Sequence, residues 1–117
     1  MVARSLAAVC VVLLIACYVP ISEDPINYVV LTMENRTSGA LKLFAFSRCD
    51  KDEWTEVVMP GGSTPPGSDV SVQTDPGCYD VYVKDEFGCF SYGSSGSTIG
   101  AGVEQTWTVK DGDLVCL

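Results

Sequence analysis

The cysteines constrain this chain more than any other feature, because the compartment that holds them decides whether they can act as staples. Six occur in 117 residues, and there is no histidine. Cys10 lies within an apolar run from Leu6 to Ala16, and Cys17 follows it directly. Cys49, Cys78, Cys89 and Cys116 are spread over the rest of the chain. The run comes after a short basic start, Met1-Val2-Ala3-Arg4. It is too short to cross a bilayer as a helix and has the length of a signal-peptide core. No later apolar run reaches membrane-spanning length, so the exported chain is expected to be either free or held by something other than a helix.

The end of the run, Leu14-Ile15-Ala16-Cys17, resembles the lipobox of bacterial lipoproteins. The resemblance implies cleavage just before Cys17 and attachment of a diacylglyceryl group to its thiol. The alternative is an ordinary secretory signal with a chance cysteine near its end. On the lipoprotein reading the chain divides into a signal peptide over 1–16, a linker over 17–26 and a folded domain over 27–117. Ser22-Glu23-Asp24-Pro25 suits a tether, being polar and closed by proline. The expected location is the cell envelope, lipid-anchored at the periplasmic or outer face; without the lipid, the protein is secreted.

On that reading four cysteines remain, an even set in a compartment where disulfides persist. Four cysteines allow three pairings, and sequence alone does not choose among them. Spreading the staples over the chain points to Cys49–Cys78 with Cys89–Cys116. Each such bridge adds about 2–4 kcal/mol to a domain that is otherwise marginally stable. Zinc ligand spacing is missing, since there is no Cys-x-x-Cys pair and no histidine. The net charge of −8 disfavours nucleic acid and anionic headgroups as partners and is explained by solubility.

After the linker, short β-rich runs alternate with turn clusters, the pattern of a sandwich or barrel. Strands are expected over 28–34, 41–46, 54–59, 70–74, 78–84, 89–92 and 103–109. Tyr79, Val81 and Val83 alternate with Asp80, Tyr82 and Lys84. Leu41, Leu43 and Ala45 are expected on one face of their strand, with Lys42, Phe44 and Phe46 on the other. Asp85-Glu86-Phe87-Gly88 reads as a hairpin turn that places Cys89 opposite Lys84, a register that argues against a Cys78–Cys89 bridge. Trp54, Trp107, Tyr79 and Phe44 are the candidate core aromatics. The fold expected is a small antiparallel β-sandwich of about seven strands.

Asp75-x-Gly77-x-Tyr79-x-Val81 resembles the turn into a late strand of immunoglobulin-like sandwiches, where a tyrosine bonds back to the preceding corner. The cysteine of the intersheet bridge in antibody domains is replaced here by Val81. More widely, Asn35 to Phe46, Asp52-Glu53-Trp54, Pro66-Gly67-Ser68 and Gly77-Cys78-Tyr79-Asp80-Val81 are similar to small exported bacterial β-sandwich proteins. That likeness implies fold and export but no activity.

Catalytic parts are missing. Without histidine there is no Ser-His or Cys-His system. Asp50, Asp52, Glu53 and Glu56 form an acidic stretch that reads first as a solvated loop, and neither it nor Asp111-Gly112-Asp113 has the spacing of a calcium loop. Asn35-Arg36-Thr37 satisfies the glycosylation sequon, which matters only in a eukaryotic secretory pathway. The expected protein is not an enzyme, needs no cofactor or metal, and contacts a membrane through its lipid. It would act as a binding module for a protein partner, presenting the loops 60–68 and 93–102. The alternatives are a structural accessory of the envelope or, in a eukaryote, a secreted effector or surface domain.

Overall fold

A computed structural model describes residues 26–117. Seven strands, with two single-turn 3-10 helices (Pro60–Gly62 and Asp111–Asp113), make up the regular structure: β1 (Val29–Arg36), β2 (Leu41–Arg48), β3 (Thr55–Glu56), β4 (Asp69–Thr74), β5 (Tyr79–Asp85), β6 (Phe90–Ser94) and β7 (Glu104–Lys110). They form two sheets, ordered β4-β1-β7 and β3-β2-β5-β6. The expected all-β sandwich is therefore present. One pairing departs from an antiparallel arrangement: β7 runs parallel to β1, from Val30↔Glu104 to Arg36↔Lys110. Parallel neighbours need a long crossover, and the whole second sheet lies between these two strands in the chain.

Alternation fills the space between the sheets. Val29, Leu31 and Met33 of β1 and Tyr79, Val81 and Val83 of β5 are buried, while their neighbours on the other parity are mostly more exposed. The expected faces of β5 are those observed. In β2 they are not, because the register against β5 shifts between Leu41 and Leu43. This irregularity puts Leu41 into the core with Phe44, and Phe46 packs against the same cluster. Leu43 and Ala45 lie on the outer face, where Ala45 is nonetheless buried. A bulge adds one residue and so reverses the parity of whatever precedes it.

The core aromatics divide. Phe44 and Tyr79 are fully buried. Trp107 is half-buried and packs against the core from β7. It reaches across to the other sheet, where a Cβ on Gly93 would lie 2.8 Å from its Cδ1. Trp54 is not a core residue: it is 41% exposed. It precedes β3, an edge strand of two exposed residues at the end of that sheet. The strand expected over 54–59 is cut to those two residues. After Val57 donates to the Phe44 carbonyl at 2.8 Å, the chain leaves the sheet and drops Met59 into the core.

Tyr79 anchors a corner. Its hydroxyl donates to the Asp75 carbonyl at 2.6 Å and lies 3.1 Å from Thr74 Oγ1, while the Arg48 guanidinium sits 5.4 Å from its ring centroid. The bond back to the preceding turn is the one implied by the Asp75-x-Gly77-x-Tyr79 pattern. The largest buried side chain thus has its one polar atom satisfied.

The bridges join Cys49 to Cys78 and Cys89 to Cys116, with Cα separations of 5.3 and 4.3 Å. Cys49 N–H donates to the Cys78 carbonyl, which extends the β2–β5 ladder by one step. Cys116 follows Val115, whose N–H and carbonyl both pair with Phe90 at the free edge of β6. Both staples lie in or beside the four-stranded sheet.

Phe44 is the simplest test of the inward face of β2. Phe44→Ala should lower unfolding free energy by about 3–5 kcal/mol, the range for emptying a packed aromatic site. Urea denaturation of the oxidised protein would measure it. A loss below about 1 kcal/mol would mean that Phe44 faces solvent.

Candidate functional site

The two outer faces of the sandwich differ in chemistry. On the three-stranded sheet the polar groups satisfy one another. Thr32 Oγ1 lies 2.7 Å from Ser71 Oγ and donates to Glu104 Oε2 at 2.7 Å, and Thr108 Oγ1 donates to Glu34 Oε1 at 2.9 Å. The outer face of the four-stranded sheet carries aromatic rings instead.

Strand pairing assembles that face. Glu56 pairs with Ala45, Ala45 with Tyr82, and Tyr82 with Tyr92, so these side chains form one row across β3, β2, β5 and β6. Phe90 lies two residues from Tyr92 and opposite Lys84. The Tyr82 and Tyr92 rings are 4.8 Å apart, centroid to centroid; Tyr82–Phe90 and Phe90–Tyr92 are 6.0 and 5.7 Å. Trp54 closes the group, 6.3 Å from Tyr82 and 6.4 Å from Tyr92, tilted from them by 67° and 59°. Its indole N–H donates to Asp52 Oδ1 at 2.9 Å. Leu43, Ala45, Trp54, Glu56, Tyr82 and Tyr92 line a groove of about 370 Å³. On the other flank of Trp54 and Tyr92 a second hollow includes Asp80.

Tyr92 is 66% exposed, so this apolar surface faces water. Trp54 is also exposed, while Tyr82 and Phe90 are half-buried beneath their neighbours. Cross-strand aromatic pairing holds the rings in place without covering them fully.

The hairpin register explains why the sequence hides this face. Asp85 Oδ1 accepts from the N–H groups of Phe87 and Cys89, and Asp85 N–H donates to the Cys89 carbonyl. The turn therefore closes on Asp85 and Cys89, and Gly88 takes the positive φ of 88° that it needs. Lys84 faces Phe90 rather than Cys89, a correction of one residue. In the expected register, Phe90 and Tyr92 fall on the face away from Tyr82; a one-residue slip moves every side chain to the other face.

The loops expected to make contacts are tied down. In 93–102, Ile99 is buried and exchanges both backbone bonds with Gly77, and Ser95 Oγ accepts from Tyr79 N–H at 3.1 Å. In 60–68, Thr64 is buried and exchanges both with Leu41.

The acidic stretch does not converge. Asp50 sits in a turn at φ 59°, Asp52 holds Trp54, Glu53 N–H donates to Ser47 Oγ, and Glu56 lies on β3. Asp111 and Asp113 accept from backbone N–H groups of Ser38 and Lys110. Among the described residues no three of His, Cys, Asp and Glu are placed to hold a metal ion. Cys17 lies outside the described residues. Cys49, Cys78, Cys89 and Cys116 are bridged, leaving no thiol at those positions for nucleophilic work.

Asn35 of the sequon is fully buried. Its Nδ2 donates to the carbonyls of Gly39 and Thr64 at 2.9 and 2.8 Å. Its Oδ1 accepts from Thr37 N–H and Thr37 Oγ1 at 2.9 and 2.6 Å. Every polar valence of the amide is used, so the folded domain offers no room or hydrogen for a glycan. The residue is a structural plug.

Compared with known proteins, the chain matches no family model, no curated protein and no solved structure. What fold and surface define together is a small disulfide-bridged β-sandwich with one aromatic outer face.

Asn35→Ala should cost about 3 kcal/mol, since buried groups stripped of partners cost about 1–3 kcal/mol each. Thermal unfolding would read this as a lowered midpoint. An unchanged midpoint would show that the plug is not needed.

Proposed function

We propose that this protein is a non-enzymatic binding module of the cell envelope, held at a membrane by a lipid on Cys17 and engaging a protein partner through its four-stranded sheet. The observation that carries this reading is the cluster of Trp54, Tyr82, Phe90 and Tyr92 on the outer face, in which Trp54 and Tyr92 are exposed and Tyr82 and Phe90 half-buried. Trp and Tyr dominate the energetics of protein interfaces because they bury much area while ordering few torsions. Rings already packed on one another lose little further freedom on binding.

Export is supported by the disulfides, which are compatible with an oxidising, non-cytoplasmic compartment. Among the described residues no helix is long and apolar enough to cross a membrane. The anchor rests on the Leu14-Ile15-Ala16-Cys17 motif, and the polar linker after it would let the domain reach a partner away from the bilayer. The absence of histidine, the bridged cysteines and the dispersed carboxylates favour binding over catalysis.

A photo-crosslinking amino acid placed at Tyr92, and separately at Thr106 on the opposite sheet, tests the face in the native host. A discrete adduct from position 92 and none from 106 is expected. Equal labelling at both, or adducts from 106 alone, would contradict it. The intact mass of the same material reads the anchor: a diacylglyceryl increment on a chain beginning at Cys17 is expected, and an unlipidated mass would make the protein a free secreted domain.

A further inference from the structure

The aromatic face carries a sign as well as a shape. Aromatic rings carry a negative π-face, which attracts a cation that reaches it. Glu56 lines the groove with Trp54, Tyr82 and Tyr92, and Asp80 lines the hollow on the far side of Trp54 and Tyr92. Among the described residues neither carboxylate is in an ion pair. Lys84, a cation on the same face, lies between Leu43 and Phe90 and borders the groove without lining it, whereas Glu56, paired with Ala45, is part of the lining. Ring faces and carboxylates therefore act together: both attract a cation and both repel an anion.

Shape narrows the cation. The Trp54 ring is tilted by 67° to Tyr82 and 59° to Tyr92, so the rings do not make a coplanar shelf. They form the inclined walls of a groove floored by Leu43 and Ala45. A planar guanidinium can lie against one wall and still turn its N–H fork toward a carboxylate at the rim, whereas a lysine ammonium is more strongly hydrated and loses more on entering. A phosphocholine headgroup would bring its phosphate against Glu56 and Asp80. We infer that the groove between Trp54, Tyr82 and Tyr92 receives an arginine side chain projecting from the protein partner, its guanidinium stacked on the rings and paired with Glu56. This inference rests on the binding-module reading above and names the chemistry of its ligand.

The test is an NMR titration of the oxidised, 15N-labelled full chain with an acetylated, amidated Gly-Arg-Gly peptide and with its citrulline counterpart, which keeps the shape and removes the charge. The indole N–H of Trp54 should shift with the arginine peptide while that of Trp107 stays still. Half-saturation should fall at about 1–10 mM, the range for one side chain acting alone. The citrulline peptide, and the arginine peptide on Glu56→Gln, should each bind about tenfold more weakly, a difference of about 1.4 kcal/mol. Tyr92→Leu should weaken binding while the protein stays folded, its unfolding midpoint lowered only by the loss of the ring pairs with Tyr82, Phe90 and Trp54.

Equal affinity for arginine and citrulline would overturn the inference. So would tighter binding of phosphocholine or cellobiose, or no shift at Trp54. If Tyr92 still crosslinks in the host while the arginine peptide fails, the face is a binding site of another chemistry and only this inference falls. If both fail, both readings fall.

Discussion

The β5–β6 hairpin is pinned at both ends by covalent bonds, and the rest of the molecule is arranged around it. Cys78 precedes β5 and is bridged to Cys49 at the end of β2; Cys89 precedes β6, at the other end of the hairpin, and is bridged to Cys116. A two-stranded hairpin is marginal in water by itself. Here one surface of it supplies Tyr79, Val81 and Val83 to the core, and the other supplies Tyr82, Phe90 and Tyr92 to the outer face. The bridges let a strand pair serve both.

Two buried polar side chains solve the corresponding problem where turns enter the core. Tyr79 ties its ring to the turn at Asp75 through one hydroxyl bond. Asn35 ties the end of β1 to Gly39 in the next turn and to Thr64 in the long loop, and its own backbone pairs with Gly67 and Ser68. Each brings a loop backbone under the edge of the sandwich without leaving an unpaired group. This is why the loop 60–68, full of proline and glycine and largely exposed, is anchored to the frame at Thr64 and Gly67-Ser68.

What could be read from the sequence follows from strict alternation. In β5 and β7 the period of two is unbroken, and the inward residues were legible without knowing any partner strand. In β2 a single bulge between Leu41 and Leu43 reverses parity, and nothing local in Leu41-Lys42-Leu43-Phe44 announces it. The aromatic face was hidden for a related reason. Phe90 and Tyr92 belong with Tyr82 only if the hairpin closes on Asp85 and Cys89, and that depends on the Asp85 carboxylate capping two backbone N–H groups. An Asp at the start of a Gly-containing turn is a signal that could have fixed the register. The exposure of Trp54 depends on how short β3 is, which is a tertiary outcome. The parallel docking of β7 on β1 likewise has no local signature.

One sheet is thus polar and self-satisfied outside, and the other is stapled and aromatic, with disulfides compatible with a non-cytoplasmic compartment. The claim on which this depends most is the covalent bracket around the hairpin. Peptide mapping of unreduced protein isolated from its own host tests it directly. The account predicts linked peptides joining Cys49 to Cys78 and Cys89 to Cys116, with no free thiol at those positions. Linkage of Cys49 to Cys89 or Cys116, or recovery of the four as free thiols, would contradict both the bracket and the export on which it rests.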